Sequence, residues 1–320
     1  MLVLVRKKAK PMTPATLLDQ LSRDLFGKKE ALRLALAAWL TDGHVLIEDL
    51  PGVGKTTLAK RLAEAFGFGW RRLQGTPDLL PADITGGLIW DRERGAFRFV
   101  PGPIFTQVLV VDELNRAHPK TQSALLEAMQ ERQVTIEGEH HRLPDPFLLI
   151  ATQNPLSQVG TYPLPEGQLD RFAVRLSLGY PPREAEKALL TSLLRPIDAP
   201  QSSAGATAPA LAAPETFFAW RLAVRRITVR EALIDYLLDL VNASRRHPQL
   251  QLGLSPRAAL QLLALTRAWA FLANRDYALP DDLQAIFVPA AAHRLWPKPE
   301  SGRPAEAIAA ELLSEVPVPL

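Results

Sequence analysis

Two hydrophobic periodicities alternate along the chain. Residues 16–43, TLLDQLSRDLFGKKEALRLALAAWLTDG, carry apolar side chains at helical spacing, broken at Gly27 and closed at Gly43, and predict two helices. The short apolar run HVLIED (44–49) ends in a glycine-rich turn, after which KTTLAKRLAEAF (55–66) resumes the helical period. Further runs with the length and apolar density of buried strands are QVLVVDE (107–113), FLLIATQ (147–153) and FAVRLSL (172–178). Such strands alternating with helices predict an α/β fold, a parallel sheet covered by helices on both faces.

Two hairpins are expected within this unit. GLIWDRERGAFRFVPGP sets strand-like segments on either side of a charged turn ending at Gly95, and RQVTIEGEHHRLP does the same around Gly138. After Pro181 and Pro182 the pattern is wholly helical, interrupted by an Ala-, Pro- and Ser-rich stretch, 196–214, that reads as a flexible loop. The expected organisation is a disordered basic tail (1–12), an α/β core (13–180) with hairpin inserts at about 87–101 and 133–143, and a helical domain (181–320).

Composition narrows the class. At 320 residues, 47% hydrophobic and 22% charged, the chain suits a soluble globular protein of two domains. It has no cysteine, which excludes disulfides, thiolate metal sites and a cysteine nucleophile, and suits a reducing cytoplasm, the expected location. The start MLVLVRKKAKP reverses the order of a secretory signal, and its apolar run is far too short for membrane insertion. The net charge is only +3, and the densest basic cluster, Arg6, Lys7, Lys8 and Lys10, lies in the tail. Aromatics, at 7%, do not interleave with basic residues as a single-strand channel requires, so composition does not support a nucleic-acid partner.

The candidate chemistry begins at EDLPGVGKTT (48–57). The phosphate-loop pattern GxxxxGK[ST] fits from Gly54 onward, but its first glycine is replaced by Asp49. Gly52 and Gly54 let backbone N–H groups close on phosphate oxygens, helped by the positive end of the following helix. Lys55 is placed to bridge the β- and γ-phosphates of ATP and Thr56 to coordinate Mg²⁺, with Pro51, Val53 and Thr57 completing the nucleotide-binding set. A glycine turn bearing a solvated lysine is the alternative, which the strand–loop–helix context disfavours. In VLVVDE, two carboxylates stand at the carboxyl end of a buried strand, where open parallel sheets bind ligands. Asp112 is expected to hold Mg²⁺ through water and Glu113 to polarise the attacking water; the alternative is a helix cap. ATQNP offers Asn154 at the same sheet edge, and Arg171 and Arg257 are guanidinium groups near element ends that could reach phosphate, although by sequence alone a surface ion pair is the favoured reading of each.

In order, EDLPGVGKT, TPDLLPADITG, VLVVDELNRAHPKTQSALLEAMQERQVTI, ATQNP, LPEGQLDRF and LSPRA resemble the MoxR family of AAA+ ATPases, over about residues 17–295. The resemblance implies a P-loop core of strand order 5-1-4-3-2 followed by a helical lid. By correspondence it makes Lys55 and Thr56 the Walker A residues, Asp112 and Glu113 Walker B, Asn154 sensor 1, Arg171 an arginine finger acting on a neighbour's ATP, and Arg257 the sensor 2 arginine. It implies a hexameric ring and a separate client protein, including partners with a von Willebrand A-type domain, which this chain lacks. Where the family often has Gly-Gln near the adenine, this chain has Lys28 in the glutamine's place; Asn115 and Arg116 fit the pattern without an assigned role.

The expected function is ATP hydrolysis coupled to chaperone-like remodelling or maturation of a partner, extending to metal or cofactor insertion. The alternative is a nucleic-acid-dependent motor of the helicase-related hairpin-insert clade. As for Asp49, a carboxylate about 6 Å from a phosphate charge at an effective dielectric near 20 costs roughly 3 kcal/mol. It is therefore expected to shape the loop while facing away from the nucleotide, so that Asp49→Gly leaves ATPase activity largely intact.

Overall fold

The computed structural model describes residues 12–25, 27–50, 52–155, 160–192 and 210–319. The basic tail up to residue 11, Pro51, and residues 196–209 of the loop expected at 196–214 lie outside them. Two helices, α1 (Pro14–Asp24) and α2 (Lys29–Leu40), precede β1 (Val45–Glu48), α3 (Lys55–Ala65) and β2 (Trp70–Gln74). A single turn, α4 (Pro81–Thr85), leads into the hairpin β3 (Gly86–Asp91) and β4 (Ala96–Pro101). Then come β5 (Val108–Asp112), α5 (Pro119–Glu131), the hairpin β6 (Gln133–Ile136) and β7 (Glu139–Arg142), β8 (Leu148–Gln153), α6 (Glu166–Leu169) and β9 (Val174–Leu176).

One five-stranded parallel sheet orders these strands β2-β5-β8-β1-β9. Counting only its own strands in chain order, that is 5-1-4-3-2 read from the other edge, as the resemblance implied. The two-residue period of the strands divides the core. Val45, Ile47, Val108, Val110, Leu148 and Ile150 face one side, with α2 and α3. Leu46, Leu109, Val111, Leu149 and Ala151 face the other, with Leu125, Leu126 and Met129 of α5. Strand β2 has no counterpart among the expected strands. It is the sheet's edge, half-exposed along most of its length, and Arg71, Arg72 and Gln74 break the apolar run by which a buried strand is recognised.

The remaining elements form a helical lid: α7 (Arg183–Ser192), α8 (Pro214–Arg225), α9 (Glu231–Arg246), α10 (Pro256–Leu272), α11 (Pro280–Ala291) and α12 (Ala305–Glu315). It is not wholly helical as expected. β10 (Leu250–Leu252) pairs antiparallel with β11 (Trp296–Pro297), segments too short to show alternation in sequence. The lid shares one core with the sheet. Trp39 of α2, Phe66 and Phe68 after α3, and Phe217 and Trp220 of α8 meet in edge and tilted contacts, Trp39 and Phe217 with ring centroids 4.5 Å apart. Among the described residues no helix is long and apolar enough to cross a membrane.

Two buried histidines fasten the sheet to its surroundings. Nδ1 of His44 accepts the Leu149 N–H at 3.0 Å while Nε2 donates to the Met129 carbonyl at 3.3 Å; Nε2 of His293, after α11, donates to the Phe172 carbonyl at 2.8 Å. Burial, reinforced by Arg132 beside His44 and Arg294 beside His293, holds both pKa values well below the usual histidine value. Above about pH 6.5 both rings are neutral whether the chain is folded or not, and below it only the unfolded chain takes up the protons. Stability is therefore expected to fall as the pH drops from 7 toward 5, by up to about 1.4 kcal/mol per pH unit for each histidine. Urea midpoints measured across that range check this; a flat profile would contradict the neutral assignment.

Candidate active site

At the carboxyl edge of the sheet, β1 runs out at Glu48 and the chain turns through Gly52 (φ 84°) and Gly54 (φ 96°) into α3. Both angles lie in the left-handed region that glycine adopts without a Cβ clash. Gly54 caps α3 without a side chain, and the first turn, Lys55-Thr56-Thr57, contains no acid, so no side chain of the cap competes with an anion for the terminal N–H groups. Around any Cβ placed on Gly52 there is open space within 4 Å, so the loop surrounds a free cradle. Val53 packs its side chain against the main core and is not part of the cleft wall.

This loop forms one wall of a cleft of about 350 Å³; Arg72 and Gln74 of β2, Asp112 at the end of β5, Glu113 just after it, and Thr152 of β8 form the other. A larger hollow, about 560 Å³, lies in the lid between α8 and the end of α10, and holds none of the phosphate-loop residues. Lys55 donates to the Asp49 carbonyl at 2.8 Å. Burial lowers its pKa below the usual lysine value, against the pull of Asp49, Asp112 and Glu113.

Asp112 is nearly buried, and both of its carboxylate oxygens are engaged. Oδ1 accepts from the Thr152 hydroxyl at 3.2 Å; Oδ2 accepts from Arg72 Nε at 2.6 Å and lies 3.5 Å from the Thr56 hydroxyl. Glu113 turns off the strand in a left-handed conformation (φ 53°), its N–H donating to the Thr152 hydroxyl at 3.0 Å and its carboxylate accepting from Arg116 at 2.9 Å. Gly75 makes this turn feasible, since a Cβ there would stand 2.3 Å from the Glu113 carbonyl oxygen. Thr152, Arg72 and Gly75 were not among the residues singled out from sequence. The only signal was the position of Thr152 two residues before Asn154, and that of Arg72 and Gly75 just ahead of TPDLLPADITG.

Asp49 does face away from the cleft. Its Oδ2 accepts from the N–H groups of Leu178 and, at 2.7 Å, Gly179, and from the Ser177 hydroxyl at 3.2 Å, while Oδ1 takes its own loop's Leu50 N–H at 2.8 Å. Burial pushes this carboxyl up, but the N–H groups of Gly179, Leu50 and Leu178, together with Ser177, bring it below the usual aspartate value. From the other side Lys28 sends its ammonium to the carbonyls of Leu178, Gly179 (2.8 Å) and Tyr180 (3.1 Å). The lysine in the glutamine's place thus holds the crossing from β9 into the lid.

Asn154 follows β8 at the same sheet edge but is not part of the cleft wall, and neither are Arg171 and Arg257. Arg171 follows α6 and keeps its Nε buried without a hydrogen-bond partner among the described residues. Arg257 lies in the first turn of α10, whose cap Ser255 receives the Ala258 N–H and donates to Asp170, the residue before Arg171. Arg294, buried and pulled down by that burial to about 10, pairs with Asp170 at 3.4 Å. One carboxylate therefore joins the segments carrying both arginines.

A glycine-lined phosphate cradle at the head of a helix, facing an acidic strand end in a sheet of this order and followed by a helical lid, defines an AAA+ ATPase. Residues 44–174 match the family model for the ATPase family associated with various cellular activities (AAA), and residues 242–312 match that for the AAA lid domain. The chain is 42% identical to YeaC of Bacillus subtilis over 94% of its own length and 93% of that protein's. It is 37% identical to Chaperone MoxR1 of Mycobacterium tuberculosis (86% and 74% of the two chains) and 30% identical to Protein MoxR of Paracoccus denitrificans (92% and 93%). A solved structure from Cytophaga hutchinsonii superposes with a TM-score of 0.86 at 34% identity, covering 95% of this chain and 94% of that one. The chain belongs to the MoxR family of AAA+ ATPases. It binds and hydrolyses ATP.

The bonds of Asp49 change what its substitution should do. Asp49→Gly removes the acceptor of the Leu178, Gly179 and Leu50 N–H groups, and is now expected to lower stability by about 1–3 kcal/mol and ATP turnover with it. Denaturant melts and turnover of the variant check both; unaltered values would show the segment to be held by other contacts.

Proposed function

We propose that the chain works as a ring, a hexamer by family resemblance, that couples ATP hydrolysis to remodelling or maturation of a separate client protein in the cytoplasm. The observation that carries the ring is the position of Arg171 outside the walls of the chain's own nucleotide cleft. A guanidinium that neutralises charge as phosphoryl transfer proceeds must touch the phosphates, so Arg171 is offered to a neighbouring subunit's ATP, while Arg257 is the sensor 2 arginine carried by the lid. The name of the Mycobacterium tuberculosis relative, a chaperone, supports the client. So does the β3–β4 hairpin, which exposes Ile89, Trp90 and Phe97. Partners with a von Willebrand A-type domain, and clients that receive a metal or cofactor, fall within this reading. We place the boundary between core and lid at residues 180–181.

In the cleft, Gly52, Gly54 and the first turn of α3 bind the phosphates, and Lys55 exchanges the Asp49 carbonyl for the β- and γ-phosphate oxygens. Glu113 takes the proton of the attacking water, and Asn154 senses the γ-phosphate from the edge of β8. Thr56 and Asp112 fit a Mg²⁺ ion, a hydroxyl and a carboxylate oxygen 3.5 Å apart beside the open cradle. When bound, the ion neutralises charge on the phosphates.

Glu113→Gln is expected to retain ATP while losing turnover by about 10²- to 10⁴-fold, and Lys55→Ala to weaken binding itself. Fluorescent-nucleotide titration with phosphate release separates the two; wild-type turnover in Glu113→Gln removes the base assignment. Arg171→Ala should bind ATP yet turn over about 10³- to 10⁵-fold more slowly. Mixing it with Lys55→Ala should restore part of the activity, because each Lys55→Ala subunit lends its Arg171 to a neighbour. No recovery in mixed assemblies would overturn action between subunits.

A further inference from the structure

Arg72 stands where no motif of the sequence placed a functional group. It lies on the edge strand β2, in register with Val110, while Gln74 pairs with Asp112. The parallel register and the two-residue period put Arg72 diagonally beside Asp112 on the sheet face that carries α3. Its side chain is 54% exposed, yet its Nε reaches the Asp112 carboxylate at 2.6 Å.

The choice of oxygen matters. Oδ1 of Asp112 is taken by the buried Thr152 hydroxyl, which also receives the Glu113 N–H and so belongs to the frame of the sheet. Oδ2 is the oxygen nearer the Thr56 hydroxyl, and it is the one that Arg72 holds. A divalent cation bound between Thr56 and Asp112, directly or through its water, needs that same Oδ2. The Arg72 contact is a one-point pair through Nε, without the two-pronged geometry that makes arginine–carboxylate pairs strong, and water reaches it. It neutralises Asp112 while leaving the contact easy to break.

We propose that Arg72 is a positioning residue, a latch that holds Asp112 Oδ2 and gives it up to the divalent cation that accompanies ATP. The inference rests on the reading of Thr56 and Asp112 as the metal-holding pair. Arginine and metal then compete for one oxygen, and the apparent metal affinity is reduced by the fraction of molecules in which the latch is closed. A single-contact pair whose arginine is open to water closes by a factor of about two to ten. After hydrolysis the same competition favours release of the metal with the product.

The test is a Mg²⁺ titration of the full-length protein at a saturating concentration of a fluorescent, non-hydrolysable ATP analogue. Arg72→Gln, which keeps the reach of the side chain and removes its charge, is expected to lower the half-saturating Mg²⁺ concentration about two- to tenfold. Arg72→Lys should fall between it and wild type, which a merely structural contribution of β2 would not produce; matching thermal melts confirm that both variants fold. An unchanged requirement overturns the latch, and a raised one overturns it in favour of a direct phosphate contact. Asp112→Asn separates this from the underlying reading. If it leaves the Mg²⁺ dependence of wild type intact, the metal assignment itself fails and the latch with it; if it raises the requirement while Arg72→Gln changes nothing, only the latch falls.

Discussion

A short piece of backbone, Leu178 to Tyr180, is gripped from two sides, by the ammonium of Lys28 on its carbonyls and by the carboxylate of Asp49 on its N–H groups. Both charges are largely withdrawn from water, and neither could be so withdrawn without these partners. The peptide groups between them act as aligned dipoles, so cation and anion stabilise each other through the segment without touching. Because Asp49 begins the phosphate loop and its own carbonyl receives Lys55, the loop and the lid crossing share one anchor. Where the loop sits, where β9 ends and where the lid begins are set together.

The cleft above that anchor has its own charge balance. In its walls Lys55 and Arg72 balance Asp112 and Glu113, and Arg116 pairs with Glu113 from outside them. Thr152 organises the acids by donating to one and accepting from the backbone of the other, so their relative placement is fixed by a single hydroxyl on the neighbouring strand. Lys55 feels both acids, while Arg72 pairs with Asp112 and Arg116 with Glu113.

What was legible in sequence follows from how each feature leaves a trace along the chain. β1, β5, β8 and β9 are near-continuous apolar runs, and both hairpins turn at glycines, Gly95 and Gly138, with positive φ. The Walker loop and acidic strand end were readable because their residues are contiguous. β2 was not, since an edge strand carrying two arginines has no reason to look apolar. The grip of Lys28 on Leu178, across 150 positions, and that of Arg72 on Asp112, across 40, obey no local period and emerge only when the strands assemble. The orientation of Asp49 was anticipated from electrostatics, but its principal partners were not, because they lie on the far side of the fold.

The aromatic seam between α2, α3 and α8 bears on how such proteins diversify. Trp39 and Phe66 belong by position to the ATPase half and Phe217 to the lid, yet all three are fully enclosed by one another and their neighbours. A lid taken from a distant relative would meet this surface with rings of the wrong shape, and close-packed interiors do not absorb such a mismatch. The two halves are therefore not interchangeable parts. Whatever surface novelty arises for recognising different partners is more readily accommodated at the hairpins and outer helix faces, where a substitution does not have to be answered by a second one across the seam.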